Sequence, residues 1–89
     1  MEFEWDSNKN NINIEKHGIS FEEAKSIFDD VNNITEQTNR NDEYRFKTVG
    51  LIFEKLFTVI YTVRSSIFRI ISARRANKSE EKKYNDKNG

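Results

Sequence analysis

The chain has 89 residues, 35% of them apolar and 34% charged, which fits a single domain over residues 1–89 and excludes a second independent core. It has no cysteine and one histidine, so a disulfide framework, a thiolate metal site and a cysteine nucleophile are excluded, and we expect neither a metal ion nor another cofactor. Its 15 basic and 15 acidic residues balance, and no apolar run approaches the roughly 18 residues that span a bilayer. We therefore expect a cytoplasmic protein that makes no membrane contact.

The balance of charge hides a division along the chain. Residues 1–63 carry seven Lys or Arg against twelve Asp or Glu, whereas residues 64–89 carry eight against three. The last quarter of the chain therefore has a local excess of positive charge. Such a local field can act on phosphate groups although the whole protein is neutral.

A short strand and a helix are predicted at the N-terminal end. Residues 2–6 alternate acidic and apolar side chains, which is the pattern of a strand with one covered face. A helix is predicted over residues 7–17, because Asp6 or Ser7 can cap its start and Gly18 supplies a stop signal.

A second helix follows, and its start carries a stronger signal. Ser20 and Glu23 have the spacing of a capping box, in which each side chain hydrogen-bonds the backbone amide of the other residue. The helix is predicted to end near Asp29 or Asp30. One face carries apolar side chains at helical spacing, which must pack against another layer of the protein. These side chains are Phe21, Ala24, Ile27, Phe28 and Val31.

The next part of the chain has a period-two pattern rich in β-branched residues, which predicts antiparallel strands in meander order. The strands are predicted over residues 34–38, 44–53, 56–63 and 67–74. Tight turns are predicted at Glu54-Lys55 and at Ser65-Ser66. Gly50, inside a strand, indicates a bulge or a close backbone approach.

A last helix is predicted from Asn77 to about Lys87, with Asn77 or Ser79 as its cap. Its only large apolar residue is Tyr84, so the helix is frayed, held by Tyr84 or completed by a partner. Counted together, the elements predict an α+β fold, with two N-terminal helices packed on an antiparallel meander sheet and a C-terminal helix.

Arginines are concentrated near the end of the predicted sheet. In a regular strand the side chain of Arg69 lies on the face opposite to Ile70 and Ser72. If Ile70 and Ser72 are buried, Arg69 is therefore outside the core. Together with Arg64 and Arg74 it forms a set of guanidinium groups that suits an RNA backbone or a pentavalent phosphorane. An equally consistent interpretation is that Arg69 and Arg74 pair with acidic residues upstream.

Two other side chains are candidates for proton transfer. An ordinary histidine titrates near neutral pH, so His17 is a candidate acid or base, although a cation before Gly18 also suits a helix C-terminus. Glu43 could supply a carboxylate base beside the ring of Tyr44, or could form a cross-strand ion pair. The sequence contains no glycine-rich phosphate loop, serine nucleophile elbow or recognisable metal-ligand spacing.

The order of residues along almost the whole chain resembles the BrnT toxin family. The resemblance is carried by Phe3-Glu4-Trp5-Asp6, Lys16-His17-Gly18, Ser20-Phe21-Glu22-Glu23-Ala24, Tyr61-Thr62 and Arg69 through Ala76 with Glu80 and Tyr84. It implies a RelE-like fold and a ribonuclease toxin that inhibits translation by cutting RNA, either free or ribosome-associated. It also implies a BrnA-like antitoxin with a ribbon-helix-helix part, through which alone this chain would reach operator DNA.

The resemblance and the charge pattern together single out nine residues. The candidate catalytic residues are Arg64, Arg69, Arg74, His17 and Glu43, and the candidate RNA-binding residues are Arg75, Lys16, Arg45 and Lys78. Val63 stands where family members commonly have an acidic residue, so no carboxylate base is available there. Two alternatives stay open: a catalytically impaired toxin that binds its antitoxin and acts as a co-repressor, and an RNA or ribosome binder that blocks translation without cleavage.

Overall fold

The computed structural model describes residues 1–40 and 43–89, which form one five-stranded sheet with helices on both of its faces. The elements are β1 (Glu2–Trp5), α1 (Ser7–His17), α2 (Phe21–Ala24) continuing as a 3-10 helix (Lys25–Asp29), β2 (Ile34–Arg40), β3 (Glu43–Ile52), β4 (Lys55–Arg64), β5 (Ile67–Arg75) and α3 (Lys78–Asn88). The strand order is β1-β5-β4-β3-β2. β1 is parallel to β5, and the other neighbouring strands are antiparallel. The predicted α+β class is confirmed, and no helix in the described part of the chain is long and apolar enough to cross a membrane.

The first helix begins and ends as predicted. The Asp6 carboxylate accepts hydrogen bonds from the amides of Asn8 (2.8 Å) and Lys9 (3.1 Å). Gly18 ends the helix with a φ of 69°, a left-handed conformation that favours glycine. Its amide donates to the carbonyl of Ile14 at 2.9 Å.

A buried asparagine, rather than an apolar stripe, attaches α1 to the sheet. Asn13 is 5% exposed, and its amide nitrogen donates to the carbonyls of Ala73 (2.9 Å) and Ile19 (3.0 Å). The Asn13 oxygen accepts from the amide of Ala73 at 3.1 Å. β1 pairs with β5 only as far as Ile70, so the Asn13 side chain takes over the hydrogen-bonding role of a neighbouring strand at Ala73.

The second helix has the predicted capping box and ends where predicted, but its second part is a 3-10 helix. Ser20 Oγ accepts from the Glu23 amide at 3.0 Å, and the Glu23 carboxylate accepts from the Ser20 amide at 2.9 Å. After Ala24 the helix tightens into the 3-10 form and ends at Asp29. The prediction that Val31 belongs to the apolar face is wrong: it lies beyond the helix and is 95% exposed.

The core lies between these helices and the sheet. Its helix side contains Phe21, Ala24 and Ile27, all fully buried, together with Ile19 just before α2. On the sheet side lie Ile52, Phe57, Val59, Tyr61, Ile70 and Ala73. The close approach predicted at Gly50 is confirmed, because a Cβ atom there would lie 3.0 Å from Cγ1 of Ile27.

The two hairpin turns differ in how well the sequence predicted them. The turn at Ser65-Ser66 is confirmed, with φ values of 50° and 66°. The other turn consists of Phe53-Glu54, at 52° and 64°, and not of Glu54-Lys55. Pairing of Ile52 with Lys55 leaves two residues between the strands, and both adopt the positive φ that matches the twist of a two-residue hairpin.

A bulge in β5 changes which side chains share a face. Tyr61 pairs with Ile70, whereas Ile60 pairs with Ser72, so Ile71 is the extra residue. The regular alternation predicted for this strand is therefore wrong beyond Ile70. Ala73 enters the core instead of Ser72.

We expect Asn13→Ala to lower the free energy of unfolding by at least about 2 kcal/mol. The substitution leaves the buried amide and carbonyl of Ala73 without their partner, and each such group costs about 1–3 kcal/mol. Urea denaturation measures the change. Asn11→Ala is the matched control, because Asn11 is an exposed residue of the same helix; equal unfolding midpoints for the two variants would contradict the anchoring role of Asn13.

Candidate functional site

The sheet face turned away from α1 and α2 carries most of the arginines. Side chains of paired residues leave the same face, and the two faces alternate along each strand. Thr62 pairs with Arg69, and Thr58 pairs with Arg74. Continuing the pairing of Phe46 with Tyr61 sets Arg45 opposite Thr62 and Glu43 opposite Arg64. We call this surface the arginine face; it carries Glu43, Arg45, Lys47, Thr58, Thr62, Arg64, Arg69 and Arg74.

Three of these arginines pair with partly exposed carboxylates. Arg69 Nη1 lies 2.8 Å from the Glu4 carboxylate. Glu43 lies between two guanidinium groups, 3.4 Å from Arg64 and 3.6 Å from Arg45. The cross-strand ion pair considered for Glu43 is thus present, and so is an upstream partner for Arg69. Ion pairs at this level of exposure contribute little to stability, so their arginines can exchange partners at small cost.

Arg74 is held differently, by a buried carboxylate. Its two terminal nitrogens donate to the two oxygens of Glu80 at 2.8 and 3.0 Å, and Glu80 is 3% exposed. The partner lies downstream in the sequence and not upstream. This bidentate pair raises the pKa of Arg74 and fixes the orientation of its guanidinium plane.

The Glu80 carboxylate also interacts with three other donors, one each from Thr58, Asn77 and Lys47. Its carboxylate accepts from Thr58 Oγ1 (2.8 Å) and from the amide of Asn77 (2.9 Å), and it lies 3.2 Å from Lys47 Nζ. Burial by itself raises the pKa of Glu80, but hydrogen bonds from Arg74, Asn77, Thr58 and Lys47 outweigh burial and lower that pKa to about 2.

The same interactions place α3 against the arginine face. Asn77 caps the helix as predicted, by accepting from the Glu80 amide at 2.8 Å. Tyr84 is buried and donates to the Asp30 carboxylate at 2.7 Å, which confirms that it holds the helix. Lys83 donates to Glu36 of β2 at 2.9 Å. The helix therefore covers the end of the arginine face that contains Arg74, and the end with Arg64 and Arg69 lies beyond it.

Four of the residues singled out from the sequence lie apart from this group. The side chain of Arg75 lies on the opposite face of the sheet. There it donates to the Leu56 carbonyl at 3.2 Å and stacks on the ring of Phe57. Lys16 and His17 are exposed at the end of α1 and line a cavity of about 260 Å³ beside β5. Lys78 is exposed in the first turn of α3. The structure thus unites Arg45, Arg64, Arg69, Arg74 and Glu43, but not the remaining candidates.

Residues 5–80 match the family described as the ribonuclease toxin BrnT of type II toxin-antitoxin systems. The chain belongs to this family. No curated protein matches it. Membership implies an RNA substrate and a cognate antitoxin. The matched segment of this BrnT-family toxin contains the whole arginine face and extends to Glu80.

Three polar residues of the toxin's arginine face were not predicted as site residues from the sequence. They are Lys47, Thr58 and Thr62, whose side chains lie on the same face of the sheet as the arginines. Extending the period-two alternation along each strand would have predicted them. Thr62 and Glu80 were noted only as part of the family resemblance. Among residues 1–40 and 43–89, His, Asp and Glu side chains do not form a group of three or more that could hold a metal ion.

We expect the stability of the toxin to fall as the pH is lowered from about 5 toward 2. Glu80 has a lower pKa in the folded chain, about 2 against an ordinary 4.5, so the unfolded chain binds a proton first. Its contribution is complete above the unfolded pKa and amounts to roughly 3 kcal/mol. Urea denaturation at several pH values measures the loss.

Glu80→Gln should remove this part of the pH dependence and lower the stability at pH 7, because Arg74 and Lys47 lose a charged partner. Glu81→Gln, which changes the neighbouring carboxylate of the same helix, is the control. Parallel pH profiles for the parent and the Glu80→Gln variant would show that the buried carboxylate is not the group responsible.

Proposed function

We propose that the toxin cleaves RNA on the arginine face by metal-independent transesterification. The observation that carries this proposal is the convergence of Arg45, Arg64 and Arg69 from three adjacent strands onto one surface. Guanidinium groups bind phosphate oxygens bidentately, and several of them can share the charge of one phosphate. The face also presents a carboxylate, Glu43, among its arginines.

The ion pairs of the free toxin are compatible with phosphate binding. Arg64 and Arg69 form pairs whose side chains stay substantially exposed, so a phosphate can replace Glu43 or Glu4 as the anionic partner. Arg74, in contrast, has both terminal nitrogens bound to Glu80. We therefore assign substrate binding to Arg45, Arg64 and Arg69, and a positioning role to Arg74.

The reaction requires a base, an acid and stabilisation of charge. A base removes the proton of the 2′-hydroxyl, whose oxygen attacks the adjacent phosphorus and forms a bond to it. The bond from phosphorus to the 5′-oxygen breaks, and an acid protonates that oxygen. Arginines stabilise the dianionic phosphorane between these events. Glu43 lies beside Arg64 and Arg45 and is the carboxylate we assign as base, whereas His17 lies at the end of α1, apart from them.

The partner proposal follows from the same surface. We propose that a BrnA-like ribbon-helix-helix antitoxin neutralises the toxin by covering the arginine face with acidic or apolar segments, and that the toxin inhibits translation when it is released. Operator DNA is then contacted through the antitoxin. Copurification of the toxin with the product of an adjacent ribbon-helix-helix gene, and loss of RNA cleavage in that complex, test the pairing.

We expect Arg64→Ala and Arg69→Ala each to reduce cleavage of a long single-stranded RNA in EDTA by about 10²-fold or more, the usual effect of removing one preorganised electrostatic donor. Lys55→Ala removes a positive charge at the opposite end of β4 and controls for net charge. Identical purification of all variants controls for contaminating nuclease, and their urea unfolding curves show whether they are folded.

Unchanged cleavage by folded Arg64→Ala and Arg69→Ala variants would refute the arginine face as the active site. Translation arrest by the parent with intact RNA would favour the non-cleaving RNA or ribosome binder. Tight antitoxin binding without either effect would favour the impaired co-repressor.

We expect Glu43→Gln to lower the cleavage rate by about 10²-fold or more, the usual contribution of a positioned base. Glu4→Gln breaks the comparable ion pair of Arg69 without touching the assigned base, so it should retain most of the activity. Initial rates with the same RNA compare the two variants. Equal rates for them would exclude Glu43 as the base.

A further inference from the structure

Two polar atoms on the arginine face are buried and have no hydrogen-bond partner among the described residues. They are Oγ1 of Thr62 and Nε of Arg45. Thr62 as a whole is 3% exposed. Buried polar side-chain atoms in proteins are nearly always hydrogen-bonded, and an unpaired one costs stability. Two such atoms in one part of the molecule indicate a purpose other than folding.

The two atoms belong to neighbouring positions of adjacent strands. The register that pairs Phe46 with Tyr61 brings Arg45 opposite Thr62, and Thr62 pairs on its other side with Arg69. The hydroxyl of Thr62 therefore lies in a row between two guanidinium groups, on the same face. The row continues to Glu4, which holds Arg69.

We infer that Thr62 and Arg45 form a subsite that binds a nonbridging oxygen of the RNA phosphate; this inference rests on the proposed function. The Thr62 hydroxyl and the Arg45 Nε–H are both able to donate a hydrogen bond, and an anionic phosphate oxygen accepts several. Neither donor has a hydrogen-bond partner within residues 1–40 and 43–89. The subsite supplies a neutral donor and a charged donor, and Arg69 supplies further charge from the next strand.

The ion pairs around the subsite explain how a buried hydroxyl becomes accessible. Arg69 and Arg64 are the partly exposed side chains beside Thr62, and each is held by one carboxylate, Glu4 or Glu43. When a phosphate takes the place of these carboxylates, the guanidinium groups reorient toward it. Such movement exposes the hydroxyl to the phosphate and leaves the backbone in place.

The inference predicts that Thr62→Val, which replaces the hydroxyl with a methyl group of similar size, weakens RNA binding without lowering the stability of the fold. Removal of an unpaired buried hydroxyl should leave the urea midpoint unchanged or raise it. Binding of a 2′-O-methyl RNA oligonucleotide, which lacks the attacking hydroxyl, should weaken by about tenfold, the equivalent of about 1.4 kcal/mol. Fluorescence anisotropy measures this affinity.

Three further variants make the test specific. Thr38→Val is the matched control, because Thr38 pairs with Arg45 from β2 and lies on the exposed rim of the same row. Thr62→Ser keeps the hydroxyl and should restore the affinity lost in Thr62→Val. Arg45→Lys keeps the positive charge but lacks Nε, so it should weaken binding as Thr62→Val does.

The results separate this subsite from the proposed active site. Parent-like affinity of Thr62→Val, with weakened binding by Arg69→Ala, would overturn the subsite and leave the arginine face intact. Parent-like affinity of both variants would overturn the subsite together with the proposed function. A lower urea midpoint of Thr62→Val with unchanged affinity would assign the hydroxyl to folding and also overturn the subsite.

Discussion

The arrangement of the C-terminal helix on the sheet of the toxin depends on the interactions of one buried carboxylate, that of Glu80. It binds Arg74 of β5, Thr58 of β4 and Lys47 of β3, and it caps its own helix through the Asn77 amide. α3 buries one large apolar side chain, Tyr84, so its attachment to the sheet depends on polar contacts. A charge withdrawn from water is tolerated only when several donors compensate it. That requirement fixes the helix, three strands and the Arg74 guanidinium relative to one another.

The arginines of the sheet divide into two classes according to the burial of their carboxylate partners. Arg74 faces a carboxylate with a pKa of about 2 and is oriented by it. Arg64 and Arg69 face carboxylates that remain in contact with water, where ion pairs are weak and exchange readily. One arginine with a fixed orientation, Arg74, and three with exposed partners, Arg45, Arg64 and Arg69, therefore lie on one face. Under the proposed function, this division reconciles the two interpretations that the sequence left open: the arginines form ion pairs in the free toxin and bind phosphate in the complex with RNA.

The bulge at Ile71 makes this shared face possible. In a regular strand Arg69 and Arg74 would lie on opposite faces, because side chains alternate. The bulge leaves Ile71 without a partner residue on β4. Both arginines therefore lie on the same face of β5, and Ala73 points into the core. Asn13 then satisfies the backbone of Ala73 from α1. The helix layer and the arginine face are thus connected through a single irregular strand segment. Bulges commonly redirect side chains in this way near functional sites.

The features that depend only on neighbouring residues could be predicted from the sequence. The Asp6 cap, the Ser20 and Glu23 capping box, the Asn77 cap and the Ser65-Ser66 turn are local, since each involves atoms a few residues apart. The order of residues along almost the whole chain also led to the BrnT family. Four features could not be predicted and are visible only in the folded chain: the parallel pairing of β1 with β5, the bulge, the Glu80 network and the separation of Arg75 from the other arginines. These depend on which distant strands meet and in what register, and a period-two pattern carries no information about its partner strand.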